Sequence, residues 1–137
     1  MSTDNFRFKI AIATNNGTHI DGHFGGCESF AIYQFDADRV ELLETRAASS
    51  EGGIDKNDQR AAQLADCHLL YVASIGGPAA AKVIKTGVHP LRDANESPIA
   101  ETLAKLQQVL KGTPPPWMAK LMGQRNPLAD KLTLGDD

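Results

Sequence analysis

The run His68-Leu69-Leu70-Tyr71-Val72-Ala73 is nearly continuously apolar, the pattern of a strand buried on both faces. Ser74-Ile75-Gly76-Gly77-Pro78 follows it, a strand-to-helix turn in which Gly77 suits the cap and Pro78 the first helical position. The helix so opened, Ala79 to Lys85, stops at Gly87, and Val88-His89-Pro90-Leu91-Arg92 returns as a short parallel strand. A strand-helix-strand crossover of this kind commits the chain to an α/β fold.

The flanking sequence completes the sheet. Phe8-Lys9-Ile10-Ala11-Ile12-Ala13-Thr14 has strand composition and ends in the turn residues Asn15-Asn16-Gly17. Ser29 to Phe35 and Arg39 to Thr45 read as a hairpin joined by Asp36-Ala37-Asp38. Ala47 to Gly53 reads as a loop, after which Asp55 caps a helix from Lys56 to Ala65. Ser97 caps and Pro98 opens a further helix, in which Ile99, Leu103, Leu106 and Leu110 recur at helical spacing up to Gly112. The order β-β-β-α-β-α-β-α predicts a three-layer α/β sandwich around a mixed five-stranded sheet of order 3-2-1-4-5. A single α/β domain, the one that would carry any cofactor site, is therefore expected over 1–112. The stretch 113–137, with Pro114-Pro115-Pro116 and one amphipathic turn at Trp117 to Met122, is expected as a partly ordered extension.

Composition narrows the function classes. With 137 residues, 42% apolar and 23% charged, the chain can bury a core without disulfides or a structural metal. No run approaches the ~18 apolar residues of a membrane span, and Met1-Ser2-Thr3-Asp4-Asn5 lacks the order of a signal peptide. A cytoplasmic monomer without membrane contact is expected. The net charge of -3 and the scattered 14 Lys and Arg residues argue against nucleic acid as a partner. Cys27 and Cys67 form no CxxC pair, so no tetrahedral zinc site is expected and both read as free thiols.

Ligands of open α/β sheets bind outside the carboxyl ends of the parallel strands. Two loops should face each other there, Asn15 to Cys27 and Ser74 to Pro78. The first carries His19, His23 and Cys27, whose nitrogens and thiolate suit iron, and the pair Gly25 and Gly26, which lets backbone approach a bulky ligand. The second, through Ser74, Gly76 and Gly77, aims the amides of a helix N-terminus at the same rim, an arrangement that favours an anion. Each loop also has a plainer reading, as a glycine turn with solvated histidines and as an ordinary strand-to-helix turn. Free cysteine is more often a small buried hydrophobe than a ligand, so Cys27 ranks behind His23.

The same residues also admit enzyme readings. Two-metal hydrolysis needs converging carboxylates, yet Phe8 to Thr14 has none and Asp21 stands alone in the loop. A thiol-dependent enzyme would use Cys27 with His19 or His23 as base, oriented by Asp21. A third reading makes Trp117 to Met122 a protein-docking segment, or else residues that simply pack back on the sheet.

The stretch Ile20-Asp21-Gly22-His23-Phe24-Gly25, followed by Ser29-Phe30-Ala31-Ile32-Tyr33, resembles the dinitrogenase iron-molybdenum cofactor biosynthesis family, which includes the NifX-type carriers. The glycine turn after strand four and the closing helix before Pro-Pro-Trp-Met-Ala-Lys look similar too, and the likeness covers roughly residues 8 to 122. The resemblance implies a ribonuclease-H-like fold and a non-catalytic carrier. Its cargo would be the iron-molybdenum or iron-vanadium cofactor or its iron-sulfur precursor, bound transiently between the assembly scaffold and apo-dinitrogenase. By the same resemblance His23 is the iron ligand; on charge alone, Lys82 nearby is expected to help hold an anionic cluster. Cys27 is not part of the family motif.

Overall fold

The computed structural model of the protein describes residues 7–49 and 56–123. Its elements run β1 (Phe8–Thr14), β2 (Ser29–Phe35), β3 (Val40–Ala47), α1 (Lys56–Gln63), β4 (Leu69–Val72), α2 (Gly77–Lys85), β5 (His89–Arg92), α3 (Ile99–Lys111) and α4 (Pro116–Gly123). The sheet order is β3-β2-β1-β4-β5, as expected from the sequence. β1 pairs antiparallel with β2 and parallel with β4, and β4 pairs parallel with β5. Three parallel strands thus end at one edge.

Strand alternation sorts the apolar residues into two layers. Phe8, Ile10 and Ile12 of β1 join Leu69 of β4 beneath α3 and α4, while Ala11 and Ala13 join Leu70 and Val72 beneath α1 and α2. Small residues on the second face of β1 leave room for Phe24 and Phe30, whose rings lie 6.0 Å apart. The β2–β3 turn is closed by Asp36, whose Oδ1 accepts from the amides of Asp38 and Arg39 at 2.8 Å each.

Two expectations change at helix ends. α3 begins at Ile99 with Pro98 at the N-cap position and no side-chain cap. Ser97 falls one residue before that N-cap, where its carbonyl accepts from Ile20 and its amide donates to Asp93. The turn expected at Trp117 to Met122 is a full helix, α4, which places Met118 and Leu121 in the core beneath α3. Trp117 stacks on His89 at 4.5 Å with the rings 3° from parallel. Met118 and Leu121 therefore pack back on the sheet, with Trp117 half-buried beside them. Asp55, the expected cap of α1, and 124–137 lie outside the described residues.

Candidate functional site

Thr14 ends β1, and the chain from Asn15 to Cys27 has to cross the sheet edge from the α3 layer to the α2 layer. Ile20 is buried among α3 and α4, and Phe24 is buried among α1 and α2. Polar side chains in the crossing bond to its own backbone. Asp21 Oδ1 accepts from the Asn15 amide at 2.7 Å and from Thr14 Oγ1 at 3.2 Å, and Asn15 Oδ1 accepts from the Glu28 amide at 2.9 Å. Asp21 is thus occupied in shaping the loop and orients no histidine.

Gly22 is where the crossing touches β1. Its amide donates to Ala13 O at 3.1 Å and its carbonyl accepts from Ala73 at 2.8 Å. A Cβ there would lie 2.7 Å from the Ala13 carbonyl carbon and 2.8 Å from the Thr14 nitrogen, so only glycine fits. That close approach presents the next residue, His23, at the rim between β1 and β4.

The His23 imidazole is exposed, and its Nδ1 lies 2.5 Å from Ser74 Oγ. The Phe24 amide donates to Ser74 O at 3.0 Å, so backbone and side chain both bind the first loop to the second. Nε2 of His23 has no partner among the described residues. In the tautomer whose Nδ1–H donates to Ser74, the lone pair of Nε2 faces outward, the form in which histidine binds metals.

Gly25, Gly26, Gly76 and Gly77 surround this imidazole along the chain, and all have ordinary negative or extended φ. A Cβ on Gly26, Gly76 or Gly77 would meet nothing within 4 Å, and one on Gly25 would meet only Asn57 Oδ1 at 3.8 Å. The fold therefore does not require glycine at these four positions, in contrast to Gly22. A side chain at Gly26, Gly76 or Gly77 would start into open space and not into the protein. The N-terminus of α2 opens on the same rim with no side-chain cap, which leaves its first amides available to an anion.

Other residues fall elsewhere. His19 is half-buried, its Nδ1 is 2.8 Å from Thr18 Oγ1, and its backbone bridges to Pro98, which ties it to the β5–α3 loop. Cys27 is 2% exposed, with Sγ 3.3 Å from Arg60 Nη1, and burial pushes its thiol pKa up against the pull of that guanidinium. A protonated, enclosed thiol is neither a ready nucleophile nor a ligand presented with His23. The thiol-enzyme alternative therefore lacks both its nucleophile and its orienting Asp21. Lys82 is engaged by Asp58 at 2.9 Å. His68 accepts from the Lys9 amide at 2.9 Å at the far end of the strands. Among the described residues no group of three or more His, Cys, Asp or Glu side chains could enclose a metal ion. A cavity of about 510 Å³ lined by His89, Trp117 and Leu121 lies at the amino end of β5, away from this rim.

Sequence reasoning missed Arg60, which is 4% exposed and donates from Nη1 to Phe24 O at 2.9 Å and Cys27 O at 3.1 Å. Nothing in the polar stretch Lys56–Gln63 distinguishes it from a solvated helix face.

The model of the dinitrogenase iron-molybdenum cofactor family matches residues 7–109. The chain is 47% identical over 116 residues to the protein NifY of Azotobacter vinelandii, covering 84% of this chain and 48% of that one. It therefore spans about half the length of that relative. It is 36% identical over 118 residues to NifX of Herbaspirillum seropedicae, covering 83% of this chain and 81% of that one. A crystal structure of a protein from Methanocaldococcus jannaschii shares the fold with a TM-score of 0.54 at 14% identity, over 77% of this chain and 92% of that one.

Proposed function

The chain belongs to the dinitrogenase iron-molybdenum cofactor family, and we propose on that basis that it is a non-catalytic carrier in nitrogenase cofactor biosynthesis. Its cargo is the iron-molybdenum or iron-vanadium cofactor or an iron-sulfur precursor. It takes that cargo from the assembly scaffold and releases it to apo-dinitrogenase, working as a cytoplasmic monomer.

One observation carries the reading: the exposed His23 imidazole is oriented by Ser74 and stands among four glycines that the fold does not require. A preassembled cluster brings its own bridging sulfides and needs few protein ligands to be held. One imidazole nitrogen supplies a bond that a stronger ligand set can replace, which suits hand-over better than a closed four-ligand cage. Ser74 holds the ring in place, as partners of metal-binding histidines commonly do. The glycines give a bulky cluster room to approach, and the amides at the start of α2 favour its negative charge. Cys27, enclosed with Arg60, has no part in this reading.

Anaerobic titration with isolated iron-molybdenum cofactor tests it. His23→Ala is expected to weaken binding by more than about tenfold, with Ser74→Ala intermediate and His19→Ala close to wild type. Equal affinity in the wild type and His23→Ala would overturn the reading.

A further inference from the structure

Another cavity, of about 340 Å³, opens on the α3 side of the sheet, a volume within the range of small-molecule sites. Its wall on α3 is Thr102, Lys105, Leu106 and Val109, the i, i+3, i+4 and i+7 face of one helix. Tyr71 of β4 lies opposite, and Arg92 and Asp93 close it at the end of β5. The wall changes character along the helix, polar at Thr102 and apolar at Leu106 and Val109 one to two turns later. Side chains on a helix lean toward its N-terminus, so Lys105 leans over the turn that carries Thr102.

The polar end holds groups that the fold leaves unused. Thr102 is 6% exposed, yet its hydroxyl has no hydrogen-bond partner among the described residues, a costly state for a buried polar group. The hydroxyl of half-buried Tyr71 has none either, and burial, with the charge of Asp93 second, pushes its pKa up. Arg92 and Lys105 are exposed and form no ion pair among the described residues. Asp93, the one carboxylate in the cavity, is occupied with the β5–α3 loop: Oδ1 accepts from the Asn95 amide at 2.9 Å and Oδ2 from the Ser97 amide at 3.1 Å. Two uncommitted cations and a buried, unpaired hydroxyl suit the oxygens of an anion. The apolar wall beyond them suits hydrocarbon.

We infer that this cavity binds a small organic carboxylate, its oxygens held by Arg92, Lys105 and the Thr102 hydroxyl and its hydrocarbon body laid along Leu106 and Val109. The site goes beyond the carrier reading. It lies on the α3 side of the sheet, with Leu106 and Tyr71 in that layer, whereas His23 stands at the rim beside Ser74.

Hexanoate, acetate, hexanol and inorganic phosphate separate the parts of the claim. In ¹H–¹⁵N spectra of the full chain, the Thr102 and Leu106 amides are expected to shift saturably with hexanoate. Its affinity should be at least about tenfold above that of acetate, which lacks the chain, and of hexanol, which lacks the charge. His23→Ala should bind hexanoate as the wild type does. Arg92→Gln and Lys105→Gln, changes at exposed side chains that spare the fold, are each expected to weaken binding by about fivefold. Thr102→Val keeps the shape and removes only the hydroxyl, so it should weaken binding by about fivefold without lowering Tm. Hexanoate that leaves both amides unmoved in wild-type protein overturns the inference. So does acetate or phosphate bound as tightly as hexanoate, since the apolar wall then plays no part. Unchanged hexanoate affinity in both Arg92→Gln and Lys105→Gln overturns it as well.

Discussion

Alanine substitution divides the glycines of the rim into those the fold needs and those it leaves free. In Gly22→Ala the new methyl would sit 2.7 Å from the Ala13 carbonyl carbon, 2.7 Å from Cys27 Cβ and 2.8 Å from the Thr14 nitrogen. Two of these neighbours are backbone of the central strand β1 and cannot rotate away. Overpacking of this kind costs about 1–3 kcal/mol, and rigid neighbours place Gly22 at the upper end. Moving the loop off β1 instead would strain the bonds from Gly22 to Ala13 and from Ala73 to Gly22, each worth about 1 kcal/mol net. A loss near 3 kcal/mol corresponds to a Tm lowered by roughly 12 °C at about 4 °C per kcal/mol for a domain of this size. In Gly26→Ala the methyl meets nothing within 4 Å, so Tm is expected to stay within about 2 °C of wild type. Thermal melts followed by circular dichroism, with urea titrations alongside, measure both. A Gly22→Ala variant as stable as wild type, or a Gly26→Ala variant as damaged as Gly22→Ala, would refute the packing argument.

Two further substitutions probe the scaffold. Asp66 takes two bonds from Arg46 at 2.9 Å and one from Lys9 at 2.6 Å, and the hydrogen bond from Arg46 above all holds its carboxyl below the usual carboxylate range. Because the folded pKa lies below the unfolded one, the pair's stabilisation is complete above about pH 5 and fades as pH falls through the folded value. The side chain is 46% exposed, so Asp66→Asn should cost only about 1 kcal/mol at pH 7. Urea titrations at pH 7 and pH 2.5 should show that gap narrowing, and a gap that widens in acid contradicts the assignment. Met118→Ala empties a fully buried position on the inner face of α4 and is expected to cost about 2–4 kcal/mol. A loss under about 0.5 kcal/mol in the same titration would mean that α4 is not part of the core.

The strands were legible because their chemistry is local and periodic. β1 and β2 fall on the residues that composition marks, and the near-continuous apolar run of β4 identified a strand covered on both faces. α4 was undervalued because Pro114-Pro115-Pro116 suggests a departing chain, whereas the burial of Met118 and Leu121 is a long-range fact. At the site, the meeting of His23 with Ser74 followed from the rule that both loops leave carboxyl ends of neighbouring parallel strands. The roles of Cys27, Asp21 and Lys82 were not legible. Each depends on a partner distant in sequence or on hydrogen bonds inside an irregular loop, and such partners leave no periodic trace. Arg60 is the extreme case, a buried cation on a short helix whose sequence is polar throughout.

The central claim, that His23 holds the cargo by a metal–nitrogen bond, is tested most directly by pulsed electron paramagnetic resonance on protein with ¹⁵N-labelled histidine, loaded anaerobically with isolated iron-molybdenum cofactor. A ¹⁵N coupling from a directly bound imidazole is expected in the wild type and in His19→Ala, and its absence is expected in His23→Ala. A coupling that survives in His23→Ala, or loaded wild-type protein with no histidine coupling at all, would contradict the claim.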